Sequence, residues 1–150
     1  MTISGAKVPP VGTMRRSRRD WPRFVRRLTG GLFVWAGGIH VGLLSADPGV
    51  YRHFADAALF PFVRQGWADV FMADPRWWAL ALAAAETAAG GLLLTRGRAI
   101  AWGWSAVIVF HILLMLFGFG FWMWSLPVLV LLVWTSRADR GAWRAPRTRH

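Results

Sequence analysis

Four long apolar runs, joined and flanked by segments that hold nearly all of the charge, constrain the fold of this chain more than any other feature. A helix needs about 20 mostly apolar residues to cross about 30 Å of hydrocarbon. A soluble domain of this size would carry charge along the surfaces of all its helices. The sequence therefore predicts an integral membrane protein of the all-α class, a four-helix bundle. The predicted spans are residues 24–44, 77–94, 99–117 and 121–134.

Basic residues are unevenly divided among the segments outside these spans. Residues 1–27 hold eight basic residues and one acid, residues 135–150 hold five and one, and the turn after the second span holds Arg96 and Arg98. The segment 45–76 holds three basic residues and four acids. Cytoplasmic segments are enriched in Lys and Arg, and four spans place all three basic segments on one side. We therefore expect a multi-pass protein of the bacterial inner membrane with both termini in the cytoplasm.

The segments outside the spans set the remaining boundaries. We expect residues 1–22 to be a disordered basic tail, because they are rich in Ser, Gly, Pro and Arg and lack apolar periodicity. Residues 23–135 then form the transmembrane domain, and residues 136–150 form a second basic tail. The outer loop 45–76 mixes aromatic and charged residues, which predicts short amphipathic helices on the bilayer surface or over the end of the bundle. The first span is longer than the apolar region of a signal peptide, so we expect it to be retained.

Glu86 lies near the middle of the second predicted span, where a charge costs about 2.5–3.5 kcal/mol on insertion scales. Its neighbours three, four or seven positions away are mostly small, and Leu82 and Leu93 are the bulky exceptions. A face of small residues permits close approach of helices, so the acid is expected to point into the bundle. There it has to be neutral, paired with another group or in contact with water.

His40 in the first span and His111 in the third are the other polar candidates. At about 1.5 Å per residue, His40, His111 and Glu86 lie about 6, 9 and 14 Å from the outer face, so they can meet in one outward-facing pocket. This predicts either a quinone site or a set of structural hydrogen bonds. In the quinone site, Glu86 is the catalytic acid, and His40, His111 and Glu86 bind the cofactor. Haem is disfavoured because no spacing motif accompanies the two histidines.

Several classes of function are excluded or disfavoured. The chain has no cysteine, which excludes disulfides and thiolate chemistry, and no metal site is expected. No phosphate loop, metalloprotease motif, nucleophile elbow or dinucleotide fingerprint occurs. The glycine pairs 30–31, 37–38 and 90–91 are interpreted as helix-packing devices. Because the basic charge is confined to segments outside the spans, we expect membrane lipid as a partner, together with a partner subunit or further copies of the chain, and not nucleic acid.

Residues 30–118 resemble the DoxX-like family of small bacterial membrane proteins. Members commonly show Gly-His or Gly-Lys near the end of span one, Glu in the middle of span two, a Gly-Leu-Leu-Leu run, and a short Arg-containing turn before a small-residue third span. The matching positions are Gly38, His40, Pro48, Tyr51, Glu86, Gly90, Gly91, Leu92, Leu93, Arg96, Arg98 and Ala99. Ile39 departs from the pattern, because it separates Gly38 from His40. The resemblance implies a four-helix membrane bundle and, more loosely, a small subunit or partner in quinone-linked or redox-homeostasis chemistry.

Two other functions remain open at this point. The lack of a catalytic motif and the many small-residue stripes also fit a non-enzymatic assembly or scaffold protein. Polar groups inside the bundle fit a small-solute permease, although four spans are few for transport unless the chain forms oligomers. The sequence leaves open whether the chain is itself an enzyme.

Overall fold

The computed structural model describes residues 12–144 of the chain, with the side chains of residues 20–140. Over this range all regular structure is helical and no strand occurs. The α-helices are α1 (Gly12–Ala46), α2 (Pro61–Gly66), α3 (Pro75–Leu94), α4 (Ala99–Leu114) and α5 (Phe119–Arg144). Shorter turns complete the fold: two 3-10 turns, Pro48–His53 and Met115–Phe117, and a π-helical turn, Trp67–Phe71.

Four helical stretches are long and apolar enough to cross a membrane, namely Asp20–Ala46, Pro75–Leu94, Ala99–Phe117 and Phe119–Arg140. They coincide with the four predicted runs, which confirms the all-helical class and the multi-pass membrane architecture. The fourth stretch is longer than the predicted span 121–134, because α5 begins at Phe119 and continues beyond Trp134. Pro127 lies inside α5 and does not end it. Neighbouring side chains and small local adjustments let a membrane helix tolerate a proline.

The amino-terminal boundary differs from the prediction. Helix α1 begins at Gly12, so residues 12–22 of the predicted tail are helical. Arginine is a good helix former, and a polar run rich in arginine extends a helix that the following apolar span already nucleates. Residues 1–11 of the predicted tail lie outside the described residues. At the other end, α5 continues into the second basic tail as far as Arg144.

The four long helices run alternately up and down, which gives the bundle two distinct ends. The loop face is the end at which α1 and α4 finish and α3 and α5 begin, and the outer loop covers it. The tail face is the opposite end, where the turn between α3 and α4 lies. The buried apolar side chains between α1, α3, α4 and α5 form one cluster, called the apolar core here: Phe33, Ala89, Leu93, Ile100, Trp104, Val107 and Leu132.

Helices α1 and α3 pack closely through one member of each glycine pair. A Cβ atom on Gly90 would lie 2.9 Å from the backbone nitrogen of Val34, and one on Gly37 would collide with the carbonyl of Ala83 and the hydroxyl of Thr87. Gly30 is equally crowded. The second members of the pairs, Gly31, Gly38 and Gly91, have open space around them. Half of these glycines therefore serve the packing that the sequence predicts, and the other half face outward.

The outer loop caps the loop face, as one of its two predicted arrangements requires. Its buried residues are Tyr51, Ala55, Ala58 and Phe71. Asp47 and Asp74 start the helical segments on either side, because their carboxylates accept from the backbone N–H groups of Gly49 (2.7 Å) and Trp77 (3.2 Å). Gly118 has φ +110°, and a Cβ atom there would collide with the carbonyl of Ala57, so only glycine lets the loop lie against the start of α5.

A buried ion pair joins the first and last spans near the tail face. Arg26 Nε lies 3.3 Å from Asp139 Oδ2, and the indole N–H of Trp104 donates to the same oxygen at 3.2 Å. Arg26 also donates to the backbone carbonyl of Leu93. These contacts tie α1, α3, α4 and α5 together at one level of the bundle.

Candidate functional site

Glu86 points into the bundle, as the small-residue face of its helix predicts. Its side chain is 4% exposed, and the residues that share its buried face are Ala79, Ala83, Ala89, Gly90 and Leu93. Small side chains bring the backbones of α1 and α3 close together, so the acid is enclosed by protein on this side. A buried carboxylate of this kind needs a partner, because an unpaired charge in an apolar environment is costly.

His40 provides the nearest charged or polar group to this acid. Its Nε2 atom lies 3.4 Å from Glu86 Oε2. Side chains lean towards the amino terminus of their own helix, and α1 and α3 are antiparallel, so the two side chains lean towards each other. The same carboxylate oxygen has no hydrogen-bond partner among the described residues. The two groups are therefore close without forming a well-aligned hydrogen bond, and Oε2 keeps a free position for one.

Tyr51 holds the other side of the His40 ring. The Tyr51 hydroxyl lies 2.7 Å from His40 Nδ1, and the tyrosine is itself 4% exposed. The indole N–H of Trp67 donates to the backbone carbonyl of Tyr51 at 2.8 Å, and the Phe71 ring lies 5.3 Å from the Tyr51 ring. We call Glu86, His40 and Tyr51 the polar cluster.

The phenol of Tyr51 assigns hydrogens within the polar cluster. Burial, and then the negative charge of Glu86, raise the pKa of Tyr51 above its usual value. The phenol therefore stays protonated, and it can donate its hydrogen to Nδ1 of His40 in the imidazole tautomer that leaves Nδ1 without a hydrogen. A neutral imidazole that accepts at one nitrogen carries its hydrogen on the other. This assignment places the Nε2 hydrogen of His40 on the side that faces Glu86.

Tyr51 is the residue of this cluster that reasoning from burial and span depth missed, because it lies outside the predicted spans. It is the only tyrosine of the chain and follows the Asp47-Pro48 turn by three residues. That position brings it over the loop-face end of α1. The family resemblance includes Tyr51 among its matching positions but gives it no role.

His111 is also buried, at 6% exposure, but makes its polar contact within its own helix. Its Nδ1 atom lies 2.9 Å from the carbonyl of Val107. The aromatic rings of Phe33, Phe110 and Trp124 surround the imidazole at centroid distances of 5.7–5.8 Å. In the described part of the chain it forms no hydrogen bond or ion pair with His40 or Glu86. The structure thus brings two of the three predicted site residues together.

Three of the four ring nitrogens of His40 and His111 have polar neighbours, and Glu86 has an unpartnered carboxylate oxygen. Both ring nitrogens of His40 are engaged, by Tyr51 and Glu86, and Nδ1 of His111 is engaged by a carbonyl. The unpartnered Oε2 of Glu86 can accept a hydrogen bond from a hydroxyl or N–H group. Among residues 12–144 no group of three or more metal-ligating side chains occurs.

A separate pocket of about 470 Å³ opens in the outer loop. Its lining residues are Arg52, Ala55, Asp56, Arg64, Trp67, Ala68 and Met72. Trp67 belongs both to this pocket and to the support of Tyr51, so one indole ring connects the two places. The pocket lies on the loop face and is lined by two arginines and one aspartate.

Comparison with known proteins gives no match: no family model, no curated protein and no solved structure matches this chain. What the protein does must therefore follow from its own geometry. The relevant features are a carboxylate enclosed within the bundle, a histidine beside it and a tyrosine at the loop face.

Proposed function

We propose that this chain is a DoxX-like protein of the bacterial inner membrane, with both termini in the cytoplasm, that acts as a small subunit or partner in quinone-linked redox chemistry. The observation that supports this most strongly is the state of Glu86 Oε2. It is a buried carboxylate oxygen with no hydrogen-bond partner among the described residues, and it lies 3.4 Å from a histidine. Buried polar atoms without partners are rare in folded proteins, and intramembrane acids are commonly functional.

The polar cluster supplies what quinone chemistry requires of a protein. A bound quinone would carry the electrons, which a partner subunit would provide or accept, and each two-electron turnover moves two protons. Glu86 would bind a quinone oxygen and hold a proton at Oε2. After Glu86 has passed on its proton, His40 would supply it with a replacement through Nε2. The small-residue packing around Glu86 would keep water out of the site.

The test is quinone binding by the purified protein and its variants. Organic extraction with mass spectrometry identifies a quinone that co-purifies, and titration with a soluble quinone analogue measures the affinity. Glu86→Gln removes the ionisable group at nearly constant shape, and we expect it to lose affinity by about tenfold or more, as for a hydrogen bond to a charged group. Asp69→Asn is the matched control, because Asp69 is an exposed acid of the outer loop. Unchanged quinone binding by Glu86→Gln would overturn the proposal.

A second candidate function, assembly or scaffolding, is favoured by one face of α1. Gly31, Gly38 and Gly42 have open space around them, and Trp35 on the same face is 66% exposed. Small residues on a lipid-facing surface permit the close approach of another membrane helix. Gly38→Ile would then release a partner that co-purifies in mild detergent, while leaving quinone binding intact. A chain that purifies without any partner would count against this function.

A further inference from the structure

Glu86 has a polar connection to the loop face of the bundle. His40 lies beside it, and Tyr51, in the 3-10 turn Pro48–His53, contacts the far side of the His40 ring. The side chain of His40 is 19% exposed, compared with 4% for Glu86. The exposed fraction therefore increases from the acid to the histidine, and the chain of polar atoms ends in the loop that covers the loop face.

The apolar core closes the path from Glu86 towards the tail face. Ala89 and Leu93 follow Glu86 on the buried face of α3, about one and two turns further along. Leu93, Trp104 and Val107 are between 0% and 1% exposed. Glu86 and Leu93 are separated by about 10 Å along the helix axis. Closely packed apolar side chains leave no room for a chain of water molecules over this distance.

Two charged groups beyond the apolar core, Arg26 and Asp139, are engaged with each other. Arg26 and Asp139 pair at 3.3 Å, and Trp104 donates to the same carboxylate. Several titratable and charged groups lie on the elements packed around Glu86. Among residues 20–140 they are Asp20, Arg23, Arg26, Arg27 and His40 on α1, Tyr51, Arg52 and His53 on the 3-10 turn, Arg76 on α3, His111 on α4, and Arg137, Asp139 and Arg140 on α5.

We propose that Glu86 exchanges its proton with the loop face alone, through His40, and that Tyr51 both orients the His40 ring and donates the replacement proton to its Nδ1 atom. Nε2 of His40 gives its proton to Oε2 of Glu86 as Nδ1 takes one from the Tyr51 hydroxyl, which water at the loop face reprotonates. The ring keeps one hydrogen throughout, which now lies on Nδ1. The reverse sequence returns the proton, and a rotation of the ring restores the hydrogen on Nε2 for a further transfer. The inference rests on the proposed function in that it names the side from which that site draws protons.

A carbodiimide that dissolves in the membrane tests this sidedness, because it reacts with protonated carboxyl groups in apolar surroundings. The full chain is placed in proteoliposomes, and the pH is changed on one side at a time during a short exposure. Mass spectrometry of the peptide that contains Glu86 then gives the labelled fraction. The chain has no cysteine, so Asp69→Cys in the exposed outer loop provides a single thiol on which an impermeant maleimide reports orientation.

We expect labelling of Glu86 to rise when the loop-face pH is lowered, because the carbodiimide reacts with the protonated carboxyl group. Changing the tail-face pH should leave labelling unchanged. Labelling that responds to the tail-face pH, or to the pH on both faces, would overturn the inference. Glu86→Gln should abolish labelling of this peptide. No quinone is needed for this experiment. The sidedness inference can therefore fail while quinone binding is observed, and it can hold while quinone binding is absent.

Tyr51→Phe tests the positioning role, because it removes the hydroxyl and keeps the ring packed. We expect the labelling to respond about tenfold more slowly to a jump in loop-face pH. Ser45→Ala is the matched control, since the Ser45 hydroxyl also lies at the loop face but donates to the carbonyl of Val41 in its own helix. A Tyr51→Phe protein that responds as fast as Ser45→Ala would remove Tyr51 from the pathway. A merely structural role would not alter the rate of this response.

Discussion

Arg26 of α1 forms an ion pair with Asp139 of α5, at 3.3 Å, where the two side chains are 11% and 2% exposed. The pair joins the first and the last span, which are far apart in the chain. Its carboxylate also accepts from Trp104, and its guanidinium also donates to the carbonyl of Leu93. A buried charge whose partner is removed is left uncompensated, so the pair has a large effect when broken.

We therefore predict that Asp139→Ala lowers the free energy of unfolding by about 3–5 kcal/mol. Denaturant titration in detergent, followed by circular dichroism, measures this change. Asp20→Ala is the control, because Asp20 pairs with Arg23 at 3.8 Å with both side chains more than 60% exposed. Exposed ion pairs contribute about 0–1 kcal/mol to the free energy of unfolding, so Asp20→Ala should have little effect. Equal losses for the two variants would contradict the account of the buried pair.

The second prediction concerns the ionisation of Tyr51. As the only tyrosine of the chain, it can be titrated alone by the ultraviolet absorbance of tyrosinate. Burial first and the Glu86 charge second raise its pKa, so ionisation should occur above the usual value of about 10. Glu86→Gln should lower the midpoint while leaving it above that value, because burial remains. A midpoint that does not respond to Glu86→Gln would contradict the contact through His40.

The same group predicts a pH dependence of stability. The folded protein holds the phenol proton of Tyr51 more tightly than the unfolded chain does. The corresponding stabilisation is fully present below pH of about 10 and is lost as the pH rises through the folded pKa. Tyr51→Phe should therefore remove part of the alkaline loss of stability. Thermal unfolding of both proteins across this pH range provides the measurement.

The third prediction uses the glycine pairs, since each pair contains its own control. Gly37→Ala forces a Cβ atom into Ala83 and Thr87, so we expect the free energy of unfolding to fall by about 1–3 kcal/mol. Gly38→Ala meets nothing within 4 Å and should be neutral or stabilising by up to about 1 kcal/mol. Gly90→Ala and Gly91→Ala should differ in the same direction. The measurement is the melting temperature of each variant in detergent. Equal melting temperatures for the two variants of a pair would contradict the described packing of α1 against α3.

The membrane architecture was predictable because hydrophobic length and charge distribution act over whole segments. The four apolar runs and the small-residue face around Glu86 both appear in the structure where the sequence places them. Helix ends were less predictable. The polar run before the first span and Pro127 in the last are compatible with helix when an apolar span adjoins them.

Contacts between distant residues were not predictable from a single sequence. Arg26 seemed to belong to the headgroup end of a span and Asp139 to a basic tail, and no local pattern indicates that they pair. Tyr51 reaches His40 only because the outer loop folds back over the bundle. His111 has the same span depth and residue type as a site histidine, but its helix directs the ring to aromatic neighbours. Which face of a span meets which partner is decided by packing between spans.

The most direct test of Glu86 as a proton-exchanging quinone ligand is redox-induced infrared difference spectroscopy on the protein loaded with a quinone analogue. Glu86 is the only glutamate of the chain, so carboxyl-13C glutamate labels this side chain alone. We predict a carboxyl band that changes when the quinone is reduced, moves with the 13C label and disappears in Glu86→Gln. A difference spectrum with no label-sensitive carboxyl band would contradict the account.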